Sequence, residues 1–158
     1  MRTKKNYTRE VQPDPKYGSV LISKLINRSM KEGKKTTAQN HVYQALTDVA
    51  KVTKKTPQEI IEELIEKVAP KVEVRTRRVG GASYQVPVPL QPKRSTSLAL
   101  RWLVSESNKR PNAKYHTYAE KLSAEILDAL KEEGGAIEKR NNALRMAEAN
   151  KAFAHFKW

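Results

Sequence analysis

The chain has 158 residues, 38% of them hydrophobic, with 31 Lys and Arg against 17 Asp and Glu and a formal net charge of +14. That length suits one domain with a sizeable core, and the hydrophobic share excludes a chain disordered throughout. There is no cysteine, which excludes disulfide frameworks, thiolate metal sites and thiol catalysis, while the charge surplus calls for a polyanionic partner, nucleic acid first and an anionic membrane surface second.

No run approaches the ~20 apolar residues of a membrane span. The opening Met1-Arg2-Thr3-Lys4-Lys5-Asn6-Tyr7 is basic, yet Thr8-Arg9-Glu10 follows it instead of an apolar core. No secretory signal is expected, and the chain is expected in the cytoplasm. Residues 1–17 lack periodicity and contain Pro13-Asp14-Pro15. They predict an extended basic arm, disordered when free and ordered on RNA. From Ser19 the period turns helical. Leu21, Ile22, Leu25, Ile26 and Met30 share a stripe, with Gly33 as the stop. A second helix is predicted over 35–54, with Ala38, Val42, Ala45, Leu46 and Val49 inward. A third starts at Thr56-Pro57-Gln58-Glu59: Thr56 caps, Pro57 suits the first turn and Glu59 completes a capping box. It buries Ile60, Ile61, Leu64, Ile65 and Val68, and Pro70 closes it.

The period then falls to two. Val72, Val74 and Thr76 alternate with Glu73, Arg75 and Arg77, Gly80-Gly81 breaks the run, and Tyr84, Val86, Val88 and Leu90 alternate with Gln85, Pro87 and Pro89. This predicts a β-hairpin over 71–91. Pro87 and Pro89 lack donors on one edge only; if that edge faces away from the partner strand no ladder bond is lost, and the unit is a two-stranded ribbon. Three more helices are predicted. One covers 92–109 with Leu98, Trp102 and Val104 apolar, and one covers 115–131 with Tyr118, Leu122, Ile126 and Leu130. The last opens at Gly134-Gly135 and carries Ala136, Arg140, Ala143, Leu144 and Ala147 on one stripe. Residues 149–158 form a tail in which Phe153, Phe156 and Trp158 interleave with Lys151 and Lys157. Such a tail either docks on its own protein or stacks on RNA. The predicted fold is mainly α: a six-helix bundle with one protruding two-stranded hairpin, a basic N-terminal arm and a C-terminal tail, in a single domain over 1–158.

The charge is segregated. Cations outnumber carboxylates five to two in residues 1–17, six to one in 71–94 and five to one in 139–158, whereas 57–69 hold four glutamates and one lysine. Cationic extensions beside an acidic helix point to a directed polyanion contact better than net charge does. Arg75, Arg77 and Arg78 sit on the ribbon with Tyr84. Arg forks pair with phosphate and stack on bases, and an aromatic ring stacks too; cross-strand packing is an equal alternative for Tyr84. His41, His116 and His155 are too far apart for a local metal motif. Gly80-Gly81 is a turn and not a phosphate loop, no nucleophile elbow is present, and a solvated face explains the third helix's glutamates. Neither an enzyme nor a cofactor is expected. A helix-turn-helix DNA binder would need a concentrated basic recognition helix, and a membrane-surface protein would need cationic-apolar helices where 57–69 is acidic.

Five segments in order resemble the seventh protein of the small ribosomal subunit, in its bacterial or organellar form. They are Asp14-Pro15-Lys16-Tyr17-Gly18-Ser19, Gly33-Lys34-Lys35 after Asn27 and Met30, Arg77-Arg78-Val79-Gly80-Gly81-Ala82-Ser83-Tyr84-Gln85-Val86-Pro87-Val88, Leu98-Ala99-Leu100-Arg101-Trp102, and the stretch 145–158. The resemblance covers nearly the whole chain and implies a six-helix domain with a long hairpin. It implies binding to the three-prime major domain of small-subunit ribosomal RNA, nucleation of head assembly, and contact with tRNA and mRNA near the exit site. A neighbouring eleventh small-subunit protein is implied as partner, and membrane and DNA are not. RNA contact is carried over to Arg2, Lys4, Lys5, Lys34, Lys35, Arg75, Arg77, Arg78, Arg94, Arg101, Lys139, Arg140 and Arg145, with Tyr84 as a stacking candidate. The sequence departs from the usual pattern at Ser29, Glu138 and Leu144 and over 108–115.

Overall fold

The computed structural model describes residues 10–156. Arg2, Lys4 and Lys5 of the arm, and Trp158 of the tail, lie outside the described residues. Six helices, α1 (Val20–Ser29), α2 (Lys35–Thr53), α3 (Pro57–Val68), α4 (Pro92–Lys109), α5 (Tyr118–Leu130) and α6 (Gly135–Ala149), surround one core. Strands β1 (Val72–Val79) and β2 (Ala82–Pro89) form an antiparallel pair between α3 and α4, and a 3-10 helix, Lys151–Phe156, follows α6.

Helix ends follow local chemistry. α1 stops at Ser29, short of the expected Gly33, because Met30 turns extended at ψ 134° while its N–H still reaches the Ile26 carbonyl at 3.0 Å. Glu32 and Gly33, both at positive φ, then reverse the chain into α2. α2 keeps its expected inward face of Ala38, Val42, Ala45, Leu46 and Val49 and ends where Lys54 adopts a left-handed conformation. α5 begins at Tyr118 and not at 115: Thr117 accepts from the Glu120 N–H at 3.2 Å, and Glu120 Oε2 accepts from the His116 N–H at 2.9 Å. On α6 the buried residues are Ala136, Ile137 and Ala147; Leu144, expected inward, is 39% exposed, and Ile137 takes the core position.

α3 shows the predicted capping box. Glu59 N donates to Thr56 Oγ1 at 3.4 Å, and Thr56 N donates to Glu59 Oε2 at 2.9 Å. The Thr56 backbone N–H holds the Glu59 carboxyl below the usual carboxylate range. A lowered folded-state pKa means the box contributes above that range and loses its contribution as pH falls through it. Thr56→Ala is expected to cost about 1 kcal/mol and so lower Tm by about 2–4 °C, measured by thermal unfolding at neutral pH.

Asp14, inside the segment expected as an arm, is packed into the fold. Its buried carboxylate accepts from the Tyr43 hydroxyl at 2.6 Å and from the Lys16 and Tyr17 N–H groups at 3.1 Å. Burial, with Asp14 alongside, pushes the Tyr43 hydroxyl up to about 12. Tyr17 meets Tyr43 edge-on at 5.5 Å, which fastens the Asp14–Gly18 turn to α2.

The hairpin register pairs Val79 with Ala82 across Gly80-Gly81 and Val72 with Pro89 at the base. Both turn glycines have positive φ, 58° and 90°, as a tight two-residue hairpin turn requires. Leu90 N donates to the Lys71 carbonyl at 3.0 Å, so 71/90 is a hydrogen-bonded pair. Alternation then makes Val72/Pro89 and Val74/Pro87 non-hydrogen-bonded pairs. The prolines lose no ladder bond.

Candidate nucleic-acid interface

Cross-strand partners share a face of the ribbon. The valines of the two strands therefore lie on opposite faces: Val72 and Val74 beside Pro89 and Pro87, Val86 and Val88 beside Arg75 and Glu73. The second face also carries Arg77 opposite Tyr84, and Val86 on it is fully buried. Part of its cover is the tail. Phe153 and Phe156 lie 5.3 and 5.0 Å from the Tyr84 ring, and the 3-10 helix packs along β2. Of the two alternatives open for the tail, docking on its own protein is the one adopted by 151–156. Tyr84 is half-buried in this cluster, and Arg77 is half-buried opposite it. Arg78 stands on the other face, exposed beside Ser83 near the exposed Gly80-Gly81 tip.

At the hairpin base Glu73 collects two arginines, Arg75 at 2.6 Å and Arg94 from the first turn of α4 at 3.4 Å. Both pairs are half-exposed, so they contribute little to stability and mainly orient the guanidinium groups. Lys93, next to Arg94, borders a groove of about 340 Å³ between α1 and α4, whose lining includes Lys24, Asn27, Arg28, Ser97 and Leu100. Three cations of α1 and α4 thus border the groove, and two more, from α4 and β1, meet at Glu73. Lys24, Arg28 and Lys93 were not among the sequence-derived candidates. The available signal was spacing: Lys24 and Arg28 are i, i+4 on α1, along the flank of the apolar stripe, and Lys93, Ser97 and Arg101 repeat at the same interval on α4.

The remaining candidates divide. Lys35, Arg101 and Arg145 are exposed, and Lys34 is exposed with an ion pair to Glu32 at 2.8 Å. Lys139 and Arg140 serve the fold. Lys139 lies 2.7 Å from Glu106 of α4, which also meets Lys109 at 3.0 Å. Burial pushes the Glu106 carboxyl up, but the two lysines outweigh it and hold the group below its ordinary range. Arg140 donates to the Lys67 carbonyl in the last turn of α3, satisfying a helix-end acceptor. By contrast the exposed side of α3 gathers Glu59, Glu62, Glu63 and Glu66. Among the described residues no group of side chains is arranged to hold a metal ion, and no helix is long and apolar enough to cross a membrane.

The profile of the family described as ribosomal protein S7p/S5e matches residues 1–151. The small ribosomal subunit protein uS7 of Thermosipho melanesiensis is 52% identical over 158 residues, the full length of both chains. That of Thermotoga petrophila is 51% identical over the same span. The uS7B protein of Aquifex aeolicus is 51% identical over 151 residues, 95% of this chain and 94% of its own. The chain belongs to the ribosomal protein S7 family and is a structural, non-enzymatic constituent of the small subunit of the cytoplasmic ribosome.

Proposed function

We propose that the chain binds the three-prime major domain of small-subunit ribosomal RNA, nucleates assembly of the subunit head, and touches tRNA and mRNA near the exit site with its hairpin. The observation carrying this reading is the clustering of Lys24, Arg28 and Lys93 around one groove, with Arg94 and Arg75 gathered at the hairpin base, while the glutamates collect on α3. Lys and Arg there neutralise phosphates and release counterions, while the rigid bundle fixes several RNA helices in one arrangement. Specificity comes from RNA shape and unpaired elements more than from duplex base edges. Lys34, Lys35, Arg78, Arg101 and Arg145 extend the contact, Arg77 and Tyr84 stiffen the hairpin, and Arg2, Lys4 and Lys5 add their charge. The eleventh small-subunit protein is the proposed neighbour.

The discriminating experiment is competition at equal salt between a three-prime-domain RNA fragment and duplex DNA of equal length. Clear preference for the RNA is expected; equal binding would refute the reading. The exit-site role has its own test. The tip residues 80–83 are exposed, so replacing 79–83 with a short Gly-Ser turn should change stability by only about 0.5–1 kcal/mol. Subunits should still incorporate the protein, and the defect should appear in exit-site tRNA retention or reading-frame maintenance. Subunits lacking a variant that folds normally in isolation would make the tip an assembly element.

A further inference from the structure

We propose that a cavity between the α1–α2 turn and the start of α5 receives a single unstacked RNA base, with its flanking phosphates on Lys31 and Lys34. The inference deepens the ribosomal-RNA reading and rests on it. The cavity measures about 200 Å³, room for one heteroaromatic ring system, and its lining includes Ser29, Lys31, Lys34, Thr37, His41 and Tyr118.

The lining matches a base on three counts. His41 and Tyr118 meet edge-on, with ring centroids 6.1 Å apart and planes at 86°. They make an aromatic corner against which a flat ring can stack on one wall and meet the edge of the other. Ser29 Oγ and Tyr118 Oη lie 2.9 Å apart. That bond uses one donor and one acceptor of the pair and leaves one O–H and further lone pairs for a base edge. Burial also pushes the Tyr118 hydroxyl up, so it stays protonated and able to donate. At the rim, Lys31 is exposed, and Lys34 pairs with Glu32, with side chains 68% and 76% exposed. Exchanging so exposed a pair for a phosphate costs little. Stacking platform, polar edge and cationic rim are the three elements by which proteins take single-stranded RNA.

The occupant could instead be a protein side chain, and charge separates the two. The rim offers lysines, which suit a phosphodiester on each side of an inserted base. The test uses the whole chain and synthetic hexanucleotides: oligouridine, oligoadenosine, and the same ribose-phosphate backbone without bases. Wild type should bind one base-containing oligomer on the order of tenfold tighter than the abasic one at equal salt, the scale of one stacked base. T37Y, which places a ring at the mouth from an exposed position on α2, should abolish that difference. A photoreactive residue at position 37, in assembled subunits, should crosslink to ribosomal RNA. Equal affinity of wild type for base-containing and abasic oligomers, or a crosslink to protein alone, overturns the pocket while the head-domain fragment still binds. If wild type fails to bind that fragment even at low salt, the ribosomal-RNA reading falls, and the pocket with it.

Discussion

Arg110→Ala should lower the unfolding free energy by about 3–5 kcal/mol, the cost of stripping one partner from a buried ion pair. At this chain length that corresponds to a fall in Tm of about 6–20 °C. The Arg110 side chain is 15% exposed and sends Nε and Nη2 to Glu125 Oε2 at 2.9 and 2.7 Å. It also donates to Asp128, and to the Tyr115 hydroxyl at 3.2 Å. Burial lowers the affinity of the guanidinium for its proton, but the two carboxylates outweigh this and hold it charged. Glu125 itself is 2% exposed, and its other oxygen accepts from the Ala136 N–H at 2.9 Å. One carboxylate therefore joins the α4–α5 loop to the start of α6. Alanine at 110 would leave that buried charge with a single backbone donor. Lysine would restore charge without the planar fork and should recover only part of the loss. The double variant R110M/E125L removes both charges and should be more stable than R110A. Denaturant unfolding of the four proteins decides it. A loss below about 1 kcal/mol in R110A would show that water enters and solvates Glu125.

This network also marks where sequence reasoning stops. Glu125 and Arg110 look like members of solvated faces, because period and charge cannot tell a buried carboxylate from an exposed one until a partner from another segment arrives. The inward stripes of α2 and α3 are legible because each is a local period, and α3 adds strong end signals: Thr56, Pro57 and Glu59 at one end, Pro70 at the other. The double glycine announced the hairpin, and the prolines sit where the ladder loses no bond, the condition a two-stranded ribbon sets. The turn also fixes the two faces. A two-residue turn pairs odd with even positions, so Val72 and Val86 had to point to opposite sides. No local pattern indicated that Phe153 and Phe156 would dock on Tyr84, a contact between distant segments. Among the candidate site residues, Arg78 and Arg145, from the charge-rich segments, and Arg101, carried over from the resemblance, are all exposed. Lys139 and Arg140 are engaged by Glu106 and the Lys67 carbonyl, neighbours that sequence alone does not supply.

Affinity for a three-prime-domain RNA fragment should fall by about three to five decades between about 50 and 200 mM salt, the range set by ~6–10 phosphate contacts on a duplex. That number of contacts is within reach of the surface. Lys24, Arg28 and Lys93 border one groove, Arg75 and Arg94 are about half exposed in their pairs with Glu73, and Lys35, Arg101 and Arg145 are exposed. Single substitutions should then sort by what each cation does in the free protein. Replacing Arg101 or Lys93 with alanine should lower the steepness of the log–log salt plot by about one and leave unfolding almost unchanged. Replacing Lys139 should act differently. Its ammonium is already held at 2.7 Å by Glu106, whose side chain is 12% exposed, so the loss should appear in stability, with the salt slope nearly constant. Arg140→Ala belongs with it, since it frees the Lys67 carbonyl. Salt-dependent binding and thermal unfolding, measured on the same four variants, separate the two classes. A slope near zero for the unsubstituted protein would remove counterion release as the source of affinity, and shape or hydrogen bonding would have to carry the contact. A slope that falls for K139A as much as for R101A would show that Lys139 leaves Glu106 when RNA arrives, and that α6 is part of the binding face.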